Sequence, residues 1–245
     1  MKILSIDTAS NICGVSILND ASLLCNLDKN TDRTHSENLM PMIAVSFKKS
    51  NLELKDMDLL VCDIGPGSFT GLRIGVATVK AFKDSLNIPC VGISSLQVLA
   101  YNVKDLLKEN DIVASIMDCK NNNCYFALYQ KKCNKMEILL KPQAEEINTA
   151  LDIISSYINT NLENKNSTFV GDGAILFKDV ITSYFPSSNF FDTKYNSLNS
   201  YSLGLAGLDF YNNFESENDI LPLYLKKPQA QRLLEEKEKK EKNNN

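Results

Sequence analysis

The chain has a single histidine, His35, no tryptophan and only three arginines, Arg33, Arg73 and Arg232. The lone histidine sets a tight limit. A Ser-His-Asp triad or a Cys-His pair would have to use this one residue, and a zinc site with two histidines is excluded. Few arginines mean few bidentate phosphate clamps. An excess of positive charge is also missing: 26 Lys+Arg against 30 Asp+Glu give a net charge of −4, which argues against a dedicated nucleic-acid binder. The seven cysteines include no C-x-x-C pair, and most sit in apolar runs such as Leu59-Leu60-Val61-Cys62. They read as small core residues in a reducing compartment. No run approaches the roughly 18 apolar residues of a membrane span, and the stretch between Lys2 and Asp7 is too short for a signal peptide. A cytoplasmic protein with no membrane association and no bound metal is expected.

What is present fits a folded chain. Of 245 residues, 44% are apolar and 23% charged, near the globular average, in a length that makes one large domain or two small ones. Residues 2–7, 11–18 and 22–27 read as strands of a meander, with Asn19-Asp20 as a turn. Residues 36–49 change to helical spacing through Leu39, Met40, Ile43 and Phe47, with Ser36 as a candidate N-cap. A strand at 58–64, a long helix at 68–86, a short strand at 89–92 and a helix at 94–108 follow. The order then begins again: strands at 112–117, 124–130 and 136–140, a helix at 145–158, a strand at 168–170, and helices at 174–184 and 200–214. The Asn121-Asn122-Asn123 loop is a turn signal, since Asn tolerates positive φ.

This doubled βββ-α-β-α order predicts an α/β protein of two subdomains, 1–108 and 109–225. Residues 226–245 carry seven basic residues, four glutamates and, as large apolar residues, only Leu233 and Leu234. That segment predicts a frayed helix or a disordered tail.

The densest motif is Gly65-Pro66-Gly67-Ser68-Phe69-Thr70-Gly71-Leu72-Arg73-Ile74-Gly75. A strand feeds a glycine turn that opens a helix. That junction suits either anion binding through free N–H groups or close backbone packing. It fails as a Walker A or dinucleotide loop, since Thr70 stands where a glycine is needed. The helix after it is apolar over most of its circumference, through Leu72, Ile74, Val76, Ala77, Val79, Ala81 and Phe82. It is therefore a central core helix or one packed on both domain and partner. Asp7-Thr8-Ala9-Ser10 suits either a metal-bound phosphate or an Asx-type hairpin turn. Gly171-Asp172-Gly173-Ala174 suits either a ligand approach or a strand-to-helix turn. His35 reads as a structural or capping residue. Asp118 stands without a paired carboxylate at readable spacing.

Together these motifs resemble the TsaB (YeaZ) family. The residues carrying the resemblance are Ile6-Asp7-Thr8-Ala9-Ser10, His35-Ser36-Glu37-Asn38-Leu39-Met40-Pro41, the glycine motif 65–75, Pro89-Cys90-Val91-Gly92-Ile93-Ser94-Ser95-Leu96 and Pro222-Leu223-Tyr224-Leu225. The first hundred residues carry most of it. Asp118-Cys119-Lys120-Asn121-Asn122-Asn123 departs from the basic, glycine-containing turn of relatives. The resemblance implies an actin-like (Hsp70-like) ATPase fold of two ribonuclease-H-like βββαβα subdomains. It implies a non-catalytic scaffold in tRNA N6-threonylcarbamoyladenosine synthesis, with no catalytic residue, metal or cofactor of its own. The implied partners are the catalytic subunit TsaD and the ATPase TsaE, with tRNA met only through the complex. Leu39, Met40, Ile43, Phe47, Leu72, Arg73, Ile74, Ala77 and Ala81 would form the partner interface, shared with a homodimer. Asp7, Thr8, Gly171, Asp172 and Gly173 would mark a vestigial nucleotide site. The rival reading is an active ATP-dependent, kinase-like enzyme on the same fold. A direct tRNA contact through the lysine-rich tail is a third, weakened by the interspersed glutamates.

Overall fold

A computed structural model describes residues 1–30, 35–162, 167–213 and 220–226. Arg33, Arg232, Phe214 and the tail beyond Lys226 lie outside the described residues. The first half contains β1 (Lys2–Asp7), β2 (Ile12–Asn19), β3 (Ser22–Asn30), α1 (His35–Ser50), β4 (Leu59–Gly65), α2 (Phe69–Leu86), β5 (Cys90–Ser94) and α3 (Ser95–Val103). The second contains β6 (Ile112–Asp118), β7 (Asn123–Lys132), β8 (Lys135–Glu146), α4 (Ile147–Asn161), β9 (Ser167–Val170), α5 (Asp172–Leu176), α6 (Lys178–Tyr184), β10 (Asn189–Phe190) and α7 (Ser200–Asn213).

The duplication read from the strand order holds at the level of topology. One sheet runs β3-β2-β1-β4-β5 and the other β8-β7-β6-β9-β10. In each, the first two strands pair antiparallel, and the first strand pairs parallel with the fourth. Turn chemistry drives the meanders: Asp20 closes the first hairpin at φ 50, and Lys120, Asn121 and Asn122 open the second copy at φ 64, 55 and 56.

Several boundaries differ from expectation. Ser36 lies inside α1, which already includes His35, so it does not cap that helix from outside. The helix expected over 94–108 gives way after Val103 to a 3₁₀ turn, Lys104–Leu106. β8 extends to Glu146 and α4 begins only at Ile147. β8 is an edge strand, where Pro142 need not donate to a second neighbour. The single helix expected over 174–184 is two, meeting at Phe177.

The layers alternate. α1 and α2 cover one face of the first sheet, through Leu39, Ile43, Val76 and Val79 against Leu4, Ile6, Leu60 and Cys62. α3 and α7 fill the space between the sheets, where Leu99, Leu203 and Ala206 share a core with Val61, Val113 and Tyr129. α4, α5 and α6 cover the far face of the second sheet. α7 therefore crosses the expected boundary: it follows the second sheet in sequence and packs on the first. Two small residues permit the approach. A Cβ on Gly204 would stand 2.6 Å from Leu18, and one on Gly207 2.4 Å from Val61. A buried polar network holds the helix start. Asp28 accepts from the Ser200 amide and hydroxyl (3.1 and 2.6 Å), and the Ser5 hydroxyl donates to the Ser200 carbonyl (2.7 Å). Leu223 also returns to the first half, donating to the Ile64 carbonyl at 2.7 Å.

Candidate functional site

The turn after β1 organises the surface of the first half. Asp7 Oδ1 accepts from the Ala9 amide at 2.8 Å, an Asx turn that shapes residues 7–9. Its outward groups then grip two helices. The Thr8 hydroxyl donates to the Gly71 carbonyl at 2.8 Å. The Ala9 carbonyl accepts from the Ser68 amide at 2.7 Å. The Ser10 carbonyl lies 2.8 Å from His35 Nε2; a carbonyl only accepts, so the ring donates from Nε2. His35 thus pins the start of α1, a structural role.

The glycine motif is resolved by distance. A Cβ on Gly67 would stand 2.2 Å from the Ala9 carbonyl oxygen, and one on Gly71 2.0 Å from that of Thr8. On Gly75 it would meet the Thr8 hydroxyl at 2.5 Å, and Gly65 needs φ +105. α2 is laid directly on the turn, backbone against backbone. The amides of Ser68 and Gly71 are already engaged, the latter by the Ser68 hydroxyl at 3.2 Å. Close backbone packing accounts for the glycines of this motif.

Seated so, α1 and α2 divide their apolar residues between core and surface. Leu39, Ile43 and Leu72 are buried at 1%, 3% and 1% exposure. They are packing residues of this chain and present nothing to a partner. Phe47 and Ile74 are half-buried. Met40 is 52% exposed and Val45 44%, and Pro41 and Ala44 of α1 and Ala77 and Ala81 of α2 are exposed as well. Arg73 is exposed on the first turns of α2. Its guanidinium lies 3.9 Å from the centroid of the Phe69 ring, and its Nε donates to the Tyr224 hydroxyl at 3.0 Å. Phe69 and Tyr224 stack at 4.8 Å. Sequence reasoning named Arg73 but missed Phe69 and Tyr224. The i, i+4 spacing of Phe69 and Arg73 was the available signal for the first. Tyr224 is 151 positions from Arg73, beyond any local pattern.

The positions expected around a nucleotide are not gathered in one pocket. A cleft of about 210 Å³ between the halves is lined by Ser10, Asn11, Ile12, Asp172, Asn196 and Ser197, among others, without Asp7 or Thr8. Asp7 is fully buried and faces Asp63 in the core. Gly171 and Gly173 are pressed on β6, where a Cβ would meet the Ile116 oxygen at 2.2 Å and the Met117 carbonyl carbon at 2.8 Å. Asp172 accepts from the Asp118 amide at 3.1 Å, and burial raises its carboxyl above the ordinary range. Asp118 instead pairs with Lys120 at 2.5 Å. Among the described residues no group of three or more His, Cys, Asp and Glu is placed to hold a metal, and no helix is long and apolar enough to cross a membrane.

The family model described as TsaD, tRNA N6-adenosine threonylcarbamoyltransferase, matches residues 27–239. The chain is 27% identical over 193 residues to the tRNA threonylcarbamoyladenosine biosynthesis protein TsaB of Bacillus subtilis, spanning 79% of this chain and 80% of that one. It is 27% identical over 228 residues to TsaB of Haemophilus influenzae, spanning 92% and 94%. The crystal structure of YeaZ from Pseudomonas aeruginosa superposes with a TM-score of 0.70 at 20% identity, covering 91% of this chain and 99% of that one. A ROK hexokinase from Thermus thermophilus superposes at 0.52 with 9% identity, covering 87% and 99%. These likenesses show the fold, an actin-like ATPase fold built from two mixed sheets. The family model and the relatives go further than the fold: the chain belongs to the TsaB (YeaZ) family of tRNA threonylcarbamoyladenosine biosynthesis proteins, within the sequence group that the TsaD model describes.

Proposed function

We propose that this chain is a non-catalytic scaffold of tRNA N6-threonylcarbamoyladenosine synthesis that docks the catalytic subunit TsaD through the outer faces of α1 and α2. The observation that carries the reading is the apolar surface left on those two helices, with Met40 52% and Val45 44% exposed. The Arg73–Phe69–Tyr224 stack beside it has the aromatic and arginine composition of interface anchors. Seating α2 backbone-to-backbone on the β1–β2 turn makes this face rigid, which limits the ordering cost of association. The match of this chain to the TsaD model itself supports a partner of related fold. The same face serves a homodimer in the absence of TsaD. TsaE joins the assembly, and tRNA is met through it, in keeping with a net charge of −4.

The test uses exposed positions, because a carboxylate at buried Leu39 would unfold the core. Met40→Glu with Ala77→Glu places two charges in an apolar contact, where unpaired burial costs about 3–5 kcal/mol. The double variant is expected to unfold at the wild-type temperature and to lose TsaD in calorimetry and pull-down. Wild-type affinity would sink the docking face. An ATP-dependent enzyme is not favoured, since Asp7 is turned into the core and away from the cleft.

A further inference from the structure

Two carboxylates lie fully buried side by side at the ends of β1 and β4. The parallel register pairs Ile6 with Cys62, so the next residues, Asp7 and Asp63, sit on adjacent strands and the same face of the sheet. Both are 0% exposed. One oxygen of each is satisfied. Asp7 Oδ1 accepts from the Ala9 amide at 2.8 Å. Asp63 Oδ1 accepts from the Gly65 amide at 2.7 Å and the Ser95 hydroxyl at 2.6 Å. The other oxygen of each, Oδ2, is buried with no partner. No cationic side chain pairs with either carboxylate among the described residues. Two buried negative charges with two orphaned acceptors are costly twice, by desolvation and by mutual repulsion. One proton held between the two groups would remove both penalties, because a protonated Oδ2 becomes a donor and the Oδ2 of the neighbouring carboxylate can accept.

We propose that Asp7 and Asp63 share a single proton, as an O–H···O⁻ bond between their Oδ2 atoms, and that this bond locks the two turns on which α2 and α3 are seated. Asp7 shapes the turn that carries Gly71 and Ser68 through Thr8 and Ala9. Asp63 fixes Gly65 ahead of α2 and Ser95 at the start of α3. The groups facing the pair leave it without a counter-charge. β3 contributes Asp28, a further negative charge near Asp7. β2, β4 and β5 contribute Cys13, Cys62 and Cys90; burial pushes the Cys13 thiol up to about 11 and holds the Cys62 thiol well above its ordinary value. His35 of α1 is bound to the Ser10 carbonyl and not to the pair. α3 contributes a hydroxyl, from Ser95.

The pH dependence follows with a definite sign. Burial raises both carboxyls, with the Asp63 charge as the second cause at Asp7, and the Asp63 carboxyl is pushed up to about 7. The folded state then holds a proton that the unfolded chain has released. Stability from this pair is fully present below the ordinary carboxylate value of 3.8. It declines as pH rises from there and is lost once pH has passed about 7, with no further change above.

Infrared difference spectroscopy of the wild-type chain across that range is the direct test. The expected result is a buried carboxylic acid C=O band lost as pH rises through about 7, with a fall of several degrees in Tm as pH rises from 3.8 to about 7 and a level profile above it. Ser95→Ala removes a bond that favours the charged form, so it moves the loss of the band to higher pH. Asp63→Asn supplies an amide donor to Asp7, abolishing the band and flattening the Tm profile. A wild-type spectrum with no acid band and a flat profile would overturn the proposal. So would Mg²⁺ or Na⁺ restoring the alkaline Tm, which would show a cation in the proton's place.

Discussion

Gly71 and Gly92 show how one atom can matter differently at two glycines. A Cβ at Gly71 would stand 2.0 Å from the Thr8 carbonyl oxygen, a backbone atom inside a hydrogen-bonded turn. At Gly92 it would meet the Cγ2 methyl of Ile64 at 2.7 Å, a side-chain atom of a half-buried residue that a small shift can move. Gly71→Ala is therefore expected to cost about 3 kcal/mol and Gly92→Ala about 1 kcal/mol or less. Urea denaturation midpoints of the two variants check the contrast. The run of glycines was plain in the sequence. What each avoids was not, because the obstructing atoms at Gly67, Gly71 and Gly75 come from Thr8 and Ala9, about sixty positions earlier. The same distance in sequence hid the Asp7–Asp63 pair and left Asp7 open between a ligand role and a turn.

α1 was legible as a helix from its spacing, and only its neighbours separate the two kinds of apolar residue on it. Leu39 is packed among Leu4, Ile6, Leu60 and Cys62, whereas Met40 points outward at 52% exposure. Leu39→Ala is expected to lose about 3 kcal/mol of stability through the cavity left behind, and Met40→Ala to stay within about 0.5 kcal/mol of wild type. Chemical denaturation measures both. In TsaD binding the order is expected to reverse, Met40→Ala weakening the complex while leaving the fold intact. β8 teaches a related lesson. The sequence pattern suggested a strand over 136–140, whereas the strand runs from Lys135 to Glu146 with Pro142 inside it. The strand runs on because its outer edge has no neighbour to which Pro142 would need to donate.

The molecule as a whole is two copies of one sheet joined through a shared middle layer. α3 and α7 lie between the sheets, and α7 reaches the first from the far end of the chain. A fragment of residues 1–108 would expose Leu18, Val61 and the Ser5–Ser16 polar face that α7 covers. It is expected to lack cooperative thermal unfolding and to self-associate, while the full chain unfolds in one transition. Circular dichroism melts and size-exclusion chromatography distinguish these outcomes. The sequence order suggested separate halves at 108 and 225; the packing interleaves them.

The fold class, the duplication and the family were legible in the chain itself, because hydrophobic period and turn residues are local and the motif 65–75 is contiguous. The division of α1 and α2 into core and surface, the reason for each glycine, the Phe69–Arg73–Tyr224 stack and the buried acid pair were decided only by the tertiary structure. Each depends on atoms from strands and segments that are remote in sequence and meet only when the sheets close. Periodicity reports which face of an element is apolar; it carries no record of which other face it will meet.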